Sequence, residues 1–446
     1  MRGVNFANVI ILIFISSLIC SCGAENQPVA TWSKVYGGSG EDIGLSSAKA
    51  EDGGYIVVGS TTSADGDVKG NHGGMDAWVF KLGEDGTMKW QKCFGGSGSD
   101  GAKSIVQANG SGYLIVGSTD SQDGDVKGRH GVDAEDLRSR TDVWVIKIDT
   151  AGTMEWQVCV GGSMGEWGND VSRCKNGGYI LVGHAWSDDG DVQGRHGDDY
   201  GDAWVVKLSD QGSVEWQRCI GGTGIDLLNY VAELDDGGFL LTGRTNSNDG
   251  DVVDRKGWRE SAWVVKLSKA GSLLWQSYVD QDSYEAQCGI EDASGNIICT
   301  TSASKADRRR LTQVHRFSPD GAVLETKQVG NGGGDDAFDL APIEDGGFVL
   351  AGSSWSSGGE GMKNNGKSDV WLVELDKNLL VNWQRCYGGS EEEEAKSIQA
   401  IKGGGFVVFG STESIDGDLL GKRGGDRDVW VLKLDNVGRL NGTPVP

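Results

Sequence analysis

A tryptophan recurs along this chain at intervals near sixty residues. It stands at Trp32, Trp90, Trp156, Trp216 and Trp275, is replaced by Glu325, and returns at Trp383, with spacings of 58, 66, 60, 59, 50 and 58. Another 58 residues reach Asn441, where no tryptophan remains. Such a period signals repeated supersecondary units, and it overrides the two or three domains that 446 residues would otherwise suggest. Each unit holds four apolar stretches rich in Val, Ile, Tyr and Trp. In the second unit they run from Asp100, from Tyr113, from Asp142 and around Trp156, and each is bounded by Gly, Asp or Asn. That is the pattern of short strands joined by tight turns. The turns at Asp52, Asp236 and Asp345 are followed by paired glycines, which supply the positive φ that a hairpin needs.

The chain thus begins with a final strand and ends without one. Trp32–Tyr36 is expected to pair beside the third strand around Trp430 and complete the last unit. Closure removes exposed edges, whereas a solenoid would need polar caps. The reading is an all-β, seven-bladed β-propeller over residues 32–441, with four-stranded antiparallel blades and a ring closed by the N-terminal strand.

Ahead of the ring, Arg2 precedes an apolar run from Val9 to Ile19 that is too short for a membrane helix but suits a signal peptide. Ile19-Cys20-Ser21-Cys22 resembles a bacterial lipobox, which implies cleavage before Cys22 and lipid on its thiol. The expected organisation is a signal peptide over 1–21, a lipid-anchored linker over 22–31, the propeller, and a tail over 442–446. The chain would then be displayed at a bacterial cell envelope, held to the membrane by that lipid alone, and monomeric. With 65 acidic and 41 basic side chains, its net charge of −24 disfavours nucleic acid. Cys93, Cys159, Cys219 and Cys386 occupy one repeated place in four different units, too far apart to pair. Most thiols should be buried and free, and Cys288 and Cys299 are the best candidate pair.

The ending Asp149-Thr-Ala-Gly-Thr-Met-Glu-Trp156 resembles the tryptophan-docking repeat of quinoprotein-dehydrogenase-like propellers. The whole unit is also similar to a family of exported bacterial repeat proteins, largely without assigned activity. The chain departs from the quinoproteins in lacking an adjacent cysteine pair. The resemblance implies the fold and little about activity, because propellers host many functions.

Three sets of residues are candidates for chemistry. An acid follows each anchor by ten residues: Asp42, Asp100, Glu166, Asp226, Glu285, Asp335 and Glu393. These would ring one mouth of the channel, either as a functional carboxylate ring or as hydrogen-bond acceptors for their own Gly-Gly corners. Asp-Gly-Asp recurs at Asp65/Asp67, Asp123/Asp125, Asp189/Asp191, Asp249/Asp251 and Asp416/Asp418. Alternate carboxylates on a turning loop are Ca²⁺ donors, so calcium is a candidate ligand, although no cofactor is required. An ion pair from the second Asp to His72, His130, His196, Lys256 or Arg423 competes with that reading. The third set breaks the repeat. Trp167, Trp186, Trp258 and Trp355 fall outside both tryptophan positions, and Lys305, Arg308, Arg309 and Arg310 make the one basic cluster. Indoles stack on sugars and guanidinium groups grip anions, so these residues predict a ligand surface on the loop face of blades 3–6.

No nucleophile elbow, zinc-protease helix or phosphate loop appears. The expected function is therefore non-enzymatic binding or scaffolding, with a glycan or an envelope protein as partner. A glycan hydrolase or lyase using the ring carboxylates, and a purely structural envelope component, remain alternatives.

Overall fold

The structure, a computed structural model, describes residues 30–131, 141–197, 200–257, 259–279, 283–304, 310–356, 363–419, 421 and 426–440. The expected signal peptide, Cys22 and most of the expected linker lie outside these residues, as does the expected tail. The described chain forms seven four-stranded antiparallel sheets, each with its strands in simple meander order. Blade 1 comprises an inner strand Asp42–Lys49, a second strand Tyr55–Thr61, a third strand Asp76–Leu82 and an outer strand Met88–Phe94. Blades 2 to 6 follow in order. Blade 7 takes Glu393–Ala400, Phe406–Thr412 and Asp428–Leu434 from the C-terminal end and Trp32–Tyr36 from the N-terminal side, with Val35 opposite Trp430. The ring closes as the missing strand demanded. No helix among the described residues is long and apolar enough to cross a membrane.

Second and third strands are apolar on both faces because each blade is sandwiched between two others; all seven residues of Tyr55–Thr61 are buried. In six blades a third-strand tryptophan fills the centre, and Trp78, Trp144, Trp204 and Trp263 donate their indole N–H to a glutamine on the outer strand at 2.8–3.1 Å. Opposite Trp78 sits Gly59, where a Cβ would lie 1.7 Å from the Ile43 carbonyl of the inner strand. Only glycine admits that approach.

The outer tryptophans join blade to blade. Trp90 covers Gly152 in the turn of blade 2, where φ is +80° and a Cβ would meet the ring at 2.9 Å. Trp32 does the same over Gly86 of blade 1 and donates its Nε1–H to Glu84 O at 3.1 Å, so the docking chain runs through the closure point of the ring. This explains the Asp-x-x-Gly-x-x-x-Trp spacing. The glycine receives the tryptophan of the preceding blade, and the tryptophan that follows it serves the next.

Blade 5 departs from this plan. Glu325 stands on the outer strand, Gln313 replaces the central tryptophan and Thr301 replaces the glycine opposite it. The two cysteines proposed as a pair stay reduced. Gly289, not Cys288, faces Cys299, and Cys288 Sγ turns instead to the Thr300 hydroxyl at 3.1 Å. None of the seven described cysteines forms a disulfide and six are buried; burial pushes the Cys93 and Cys159 thiols up to about 12.

Candidate functional site

The repeated acids belong to the frame. Asp42 is fully buried and accepts the Gly38 amide at 2.7 Å, the Ser63 hydroxyl at 2.8 Å and the Thr61 hydroxyl. Asp100, Glu166, Asp226 and Glu393 accept the matching glycine amide at 2.8–2.9 Å, and Asp335 that of Asn331 at 2.8 Å. These six carboxylates therefore hold the corners and do not line a mouth. Glu285 is not the seventh of the set. Ser283 takes the corner place opposite Ala303, and Tyr284 is an extra residue that shifts Glu285 one position along its strand.

The Asp-Gly-Asp loops hold the same corners from outside. The first Asp of each (Asp65, Asp123, Asp189, Asp249 and Asp416) accepts the amide of the corner Ser or Thr at 2.7–2.8 Å. Asp67, Asp125, Asp191 and Asp418 each accept the amide of the first corner glycine at 3.2–3.3 Å. Asp251 instead pairs with Arg218 at 3.1 Å. The histidines do not pair with their own loops. His72, His130 and His196 bond Asp76, Asp142 and Asp202 at 2.7–2.8 Å, and His72 and His196 also reach the second Asp of the following blade, Asp125 and Asp251, at 3.9–4.0 Å. In blade 4 Arg255 turns inward rather than Lys256, bonding Ser261 at 3.2 Å; Arg423 lies outside the described residues. Among the described residues no three His, Cys, Asp or Glu side chains converge as a metal group would.

What varies from blade to blade is the channel wall. Every inner strand breaks register against its neighbour next to its fourth position, leaving a bulged residue: Leu45, Lys103, Asn169, Asn229, Phe338 and Lys396, with the pair Gln287 and Cys288 in blade 5. Bulges re-aim side chains, and here Leu45, Lys103, Asn169, Asn229, Gln287, Phe338 and Lys396 all line one central cavity of about 570 Å³. The preceding strand position is Gly or Ala in six blades, with Leu228 the exception, while these seven comprise five residue types.

The next residue along reaches sideways to adjacent blades. Asp170 accepts the Ser104 hydroxyl of blade 2 at 2.6 Å and the Val231 amide of blade 4 at 2.9 Å. Asp339 accepts the Ile398 amide of blade 7 and its neighbour's, Leu340, both at 2.8 Å. Burial raises the Asp170 carboxyl to about 7 and that of Asp339 to about 6, against the lowering effect of these bonds.

Two residues before the bulge, on the same strand face, six blades carry further varied side chains, with Gly101 in blade 2 the exception. Trp167 is one of them. It belongs to the inner strand Glu166–Arg173 rather than to a loop, and it stacks on His184 with ring centroids 4.8 Å apart. Burial, with Arg244 nearby, drives His184 down to about 4. Glu285 occupies the same position in blade 5, taking the Asn229 amide at 3.0 Å with Arg244 at 3.9 Å.

Trp186 and Trp355 sit at equivalent places just after the second strands of blades 3 and 6, with blades 4 and 5 between them. The Trp186 ring covers Gly201, whereas Trp355 is 42% exposed. Arg310 starts the third strand of blade 5 and pairs with Asp336 of blade 6 at 3.0 Å. Trp258, Lys305, Arg308 and Arg309 lie outside the described residues. The channel lysines were missed because each resembles an exposed strand residue in sequence. The readable signal was variation at one repeat position.

No protein-family model and no curated protein matches this sequence. Among solved structures, the chain is similar to a protein of unknown function from Dyadobacter fermentans DSM 18053, at 11% identity and TM-score 0.48, covering 91% of this chain and 98% of that one. It is similar to puromycin hydrolase at 14% identity and TM-score 0.48, covering 94% of this chain and 57% of that one. A third is a putative oxidoreductase (glucose dehydrogenase) from Thermus thermophilus, at 11% identity and TM-score 0.40, covering 78% of this chain and 100% of that one. Likenesses this distant say nothing about activity.

Proposed function

We propose that this chain is a non-enzymatic binding propeller, carried at the cell envelope on a lipid at Cys22, that takes a glycan at the mouth of its central channel. The observation that carries this reading is the bulge ring. Seven side chains that build nothing shared by the repeat are turned into one cavity, whose 570 Å³ is within the usual range for small-ligand sites. Asn169, Asn229 and Gln287 occupy adjacent blades 3, 4 and 5; their amide N–H groups donate to Leu228 O and to Glu285, and their amide oxygens can accept from sugar hydroxyls. Trp167, two residues from Asn169 on the inner strand of blade 3, and the exposed Trp355 of blade 6 are the rings proposed to stack on the sugar.

Binding is favoured over hydrolysis or lysis by the way the channel acids are committed. Both oxygens of Asp170 accept bonds from adjacent blades, and those of Asp339 accept one bond from blade 7 and one from Leu340 of its own strand. A general acid or base needs an oxygen turned to substrate. A glycan array probed with the purified protein tests the reading, with Trp355→Ala beside it. Selective binding that weakens about five-fold or more in the variant is expected, equivalent to loss of roughly 1 kcal/mol of stacking. Turnover of any bound glycan would overturn the non-enzymatic reading.

A scaffold role has one observation of its own. Leu274, Val323, Leu324, Leu380 and Val381 are exposed at the starts of the outer strands of blades 4, 5 and 6. Apolar side chains grouped on consecutive blades suit a protein contact. Masking of these positions from surface labelling in isolated envelopes, but not in the purified chain, would support it.

A further inference from the structure

Each third strand that starts with an aspartate buries it beside the corner acid of the next blade. Asp76, Asp142, Asp202 and Asp369 are fully buried, and in each the Oδ1 oxygen receives no hydrogen bond. At Gly388, which leads from blade 6 into blade 7, a Cβ would lie 2.6 Å from Asp369 Oδ1 and 2.5 Å from Glu393 Oε2, so the two oxygens face each other over one glycine. Gly95 sets Asp76 Oδ1 against Asp100 Oδ2 in the same way, at 2.8 and 2.7 Å.

The two acids depend on each other in one direction. Blade 4 has Ser261 in place of the aspartate, and the blade 5 corner that follows it has Ser283. Blade 5 has Leu311 there, yet Asp335 remains at the corner of blade 6. Among the described residues, a corner acid can stand without the aspartate, but the aspartate never stands without a corner acid.

The seam between blades 6 and 7 has the least to offset this charge. In blades 1 to 3 a histidine bonds the other oxygen of the aspartate, whereas blade 6 has Asn365, whose backbone amide reaches Asp369 Oδ2 at 3.0 Å. Glu393 accepts the Gly389 amide at 2.8 Å, the Thr412 hydroxyl at 2.7 Å and the Ser414 amide at 3.2 Å. Asp418 also faces the pair, as does the Cys386 thiol, with Asp335 beyond it. Lys363 acts on Asp418, and Lys367 is taken by Glu391 at 2.7 Å. Even with Lys363 set fully against Asp418, two buried carboxyls are left without a positive partner.

We propose that Asp369 keeps a proton on Oδ1 and shares it with Glu393, so that a carboxylic acid–carboxylate hydrogen bond latches blade 6 to blade 7 and opens as pH rises.

A bare buried acceptor is costly, and a proton turns it into a donor aimed at an acceptor. Glu393 is the ionised member because its three donors favour the charge, while Asp369 receives bonds only on Oδ2. Burial, with Glu393 and Asp418 nearby, holds the Asp369 proton above the ordinary carboxyl range. The latch is therefore complete below that range and is lost as pH rises through about 7, when the proton leaves to solvent and two buried carboxylates repel. The strand it holds, Glu393–Ala400, carries Lys396 of the channel wall, so acidity sets how firmly that side of the channel is fixed.

The test is infrared difference spectroscopy on the full-length protein, wild type against Asp369→Asn. The carbonyl band of a protonated carboxyl should be present in wild type at about pH 6, missing from the variant, and gone from wild type by about pH 9. The asparagine amide can donate to Glu393 at any pH. Asp369→Asn should therefore melt near the wild-type temperature at about pH 5 and several degrees above it at about pH 9. No band lost with Asp369, or a variant that melts below wild type at every pH, would show an ionised Asp369 and overturn the inference. A wild-type Tm raised by Ca²⁺, with a variant indifferent to it, would overturn it too, because a cation would then fill the pair. Asp369→Ser copies blade 4 and guards against misfolding of the first variant; if neither folds, a carboxylate is required there and the inference fails.

Discussion

Blade 2 and blade 5 solve the same packing problem in different ways. In blade 2, Trp144 fills the space between neighbours, Gly117 opposite it lets the inner strand approach, and Asp100 holds the corner. Gly152 receives Trp90, and Trp156 docks on Gly212 of blade 3. In blade 5 all of these parts but one are exchanged; Gly321 still receives Trp275 of blade 4. Gln313 accepts the Ser283 hydroxyl at 2.7 Å, and His315 bridges the Thr301 and Thr326 hydroxyls at 2.9 Å each. Thr301 brings a Cβ where the other blades have none, and there the inner strand bulges by two residues instead of one. On the outer side, Glu325 leaves no indole to dock. The receiving turn of blade 6 has Leu379 in place of glycine, at φ +59° and buried. Arg316 spans the gap instead, bonding Asp292 at 2.5 Å and the Lys377 carbonyl at 2.5 Å. The parts of a blade interface therefore change together. A tryptophan and the glycine it covers are one unit, and a hydrogen-bonded network replaces that unit only when both are exchanged.

The strongest way to break the comparison is to remove the docking chain at its closure. Deleting residues 23–38 strips blade 7 of its outer strand and uncovers Gly86, as no substitution in blade 5 would. A fall in Tm on the order of 10 °C or more, or loss of cooperative unfolding, is expected in a thermal melt. Unchanged unfolding would refute closure by Trp32–Tyr36.

Rebuilding the lost unit should have the next largest effect. Glu325→Trp alone forces an indole onto the Leu379 side chain and should destabilise by about 1–3 kcal/mol, as overpacking does. Combined with Leu379→Gly, which also relieves the positive φ, the same tryptophan should recover most of that loss. A double-mutant cycle in urea should show coupling above about 1 kcal/mol, and additive effects would mean the two positions are independent.

Acidity separates the regular blades from blade 5 more gently. Burial holds Glu166 and Asp369 at about 7 and Asp202 at about 6, beside Asp170 at about 7 and Asp339 at about 6, while the blade 5 corner carries the neutral Ser283. These groups keep their protons to higher pH in the folded chain than in the unfolded one. Their favourable contribution is complete below the ordinary carboxyl range and is lost as pH rises through 6 to 7. Tm should therefore decline by several degrees between about pH 5 and pH 8, and Asp170→Asn should flatten part of the slope. A Tm that climbs over that interval would contradict the assignment.

The smallest effect concerns the rim of blades 3 and 6. Trp355→Ala should change stability by no more than about 0.5 kcal/mol because the residue lies at the exposed rim, whereas Trp186→Ala uncovers Gly201 and should cost about 1 kcal/mol or more. Equal losses in chemical denaturation would show that Trp355 is a packing cover as well.

Much of this molecule is decided locally, and local decisions are legible. The strand stretches, the glycine turns and the tryptophan spacing each follow from a few neighbouring residues, so blade number, strand order and closure by Trp32–Tyr36 are all written in the order of the residues. The corner acids are legible in six blades. Glu285 misleads because Tyr284 adds one residue, and counting along a chain cannot see which residue a bulge has absorbed. The channel site escapes for the same reason. A bulge is set by how close two strands can come, which depends on Gly59 and its equivalents meeting an inner-strand carbonyl across the sheet. Only that contact turns Lys103 inward, and only ring closure brings Lys396, from the far end of the chain, beside it across blade 1. Sequence determined the frame because the frame repeats; tertiary structure decided the site because the site consists of what does not repeat, gathered from seven distant segments onto one axis.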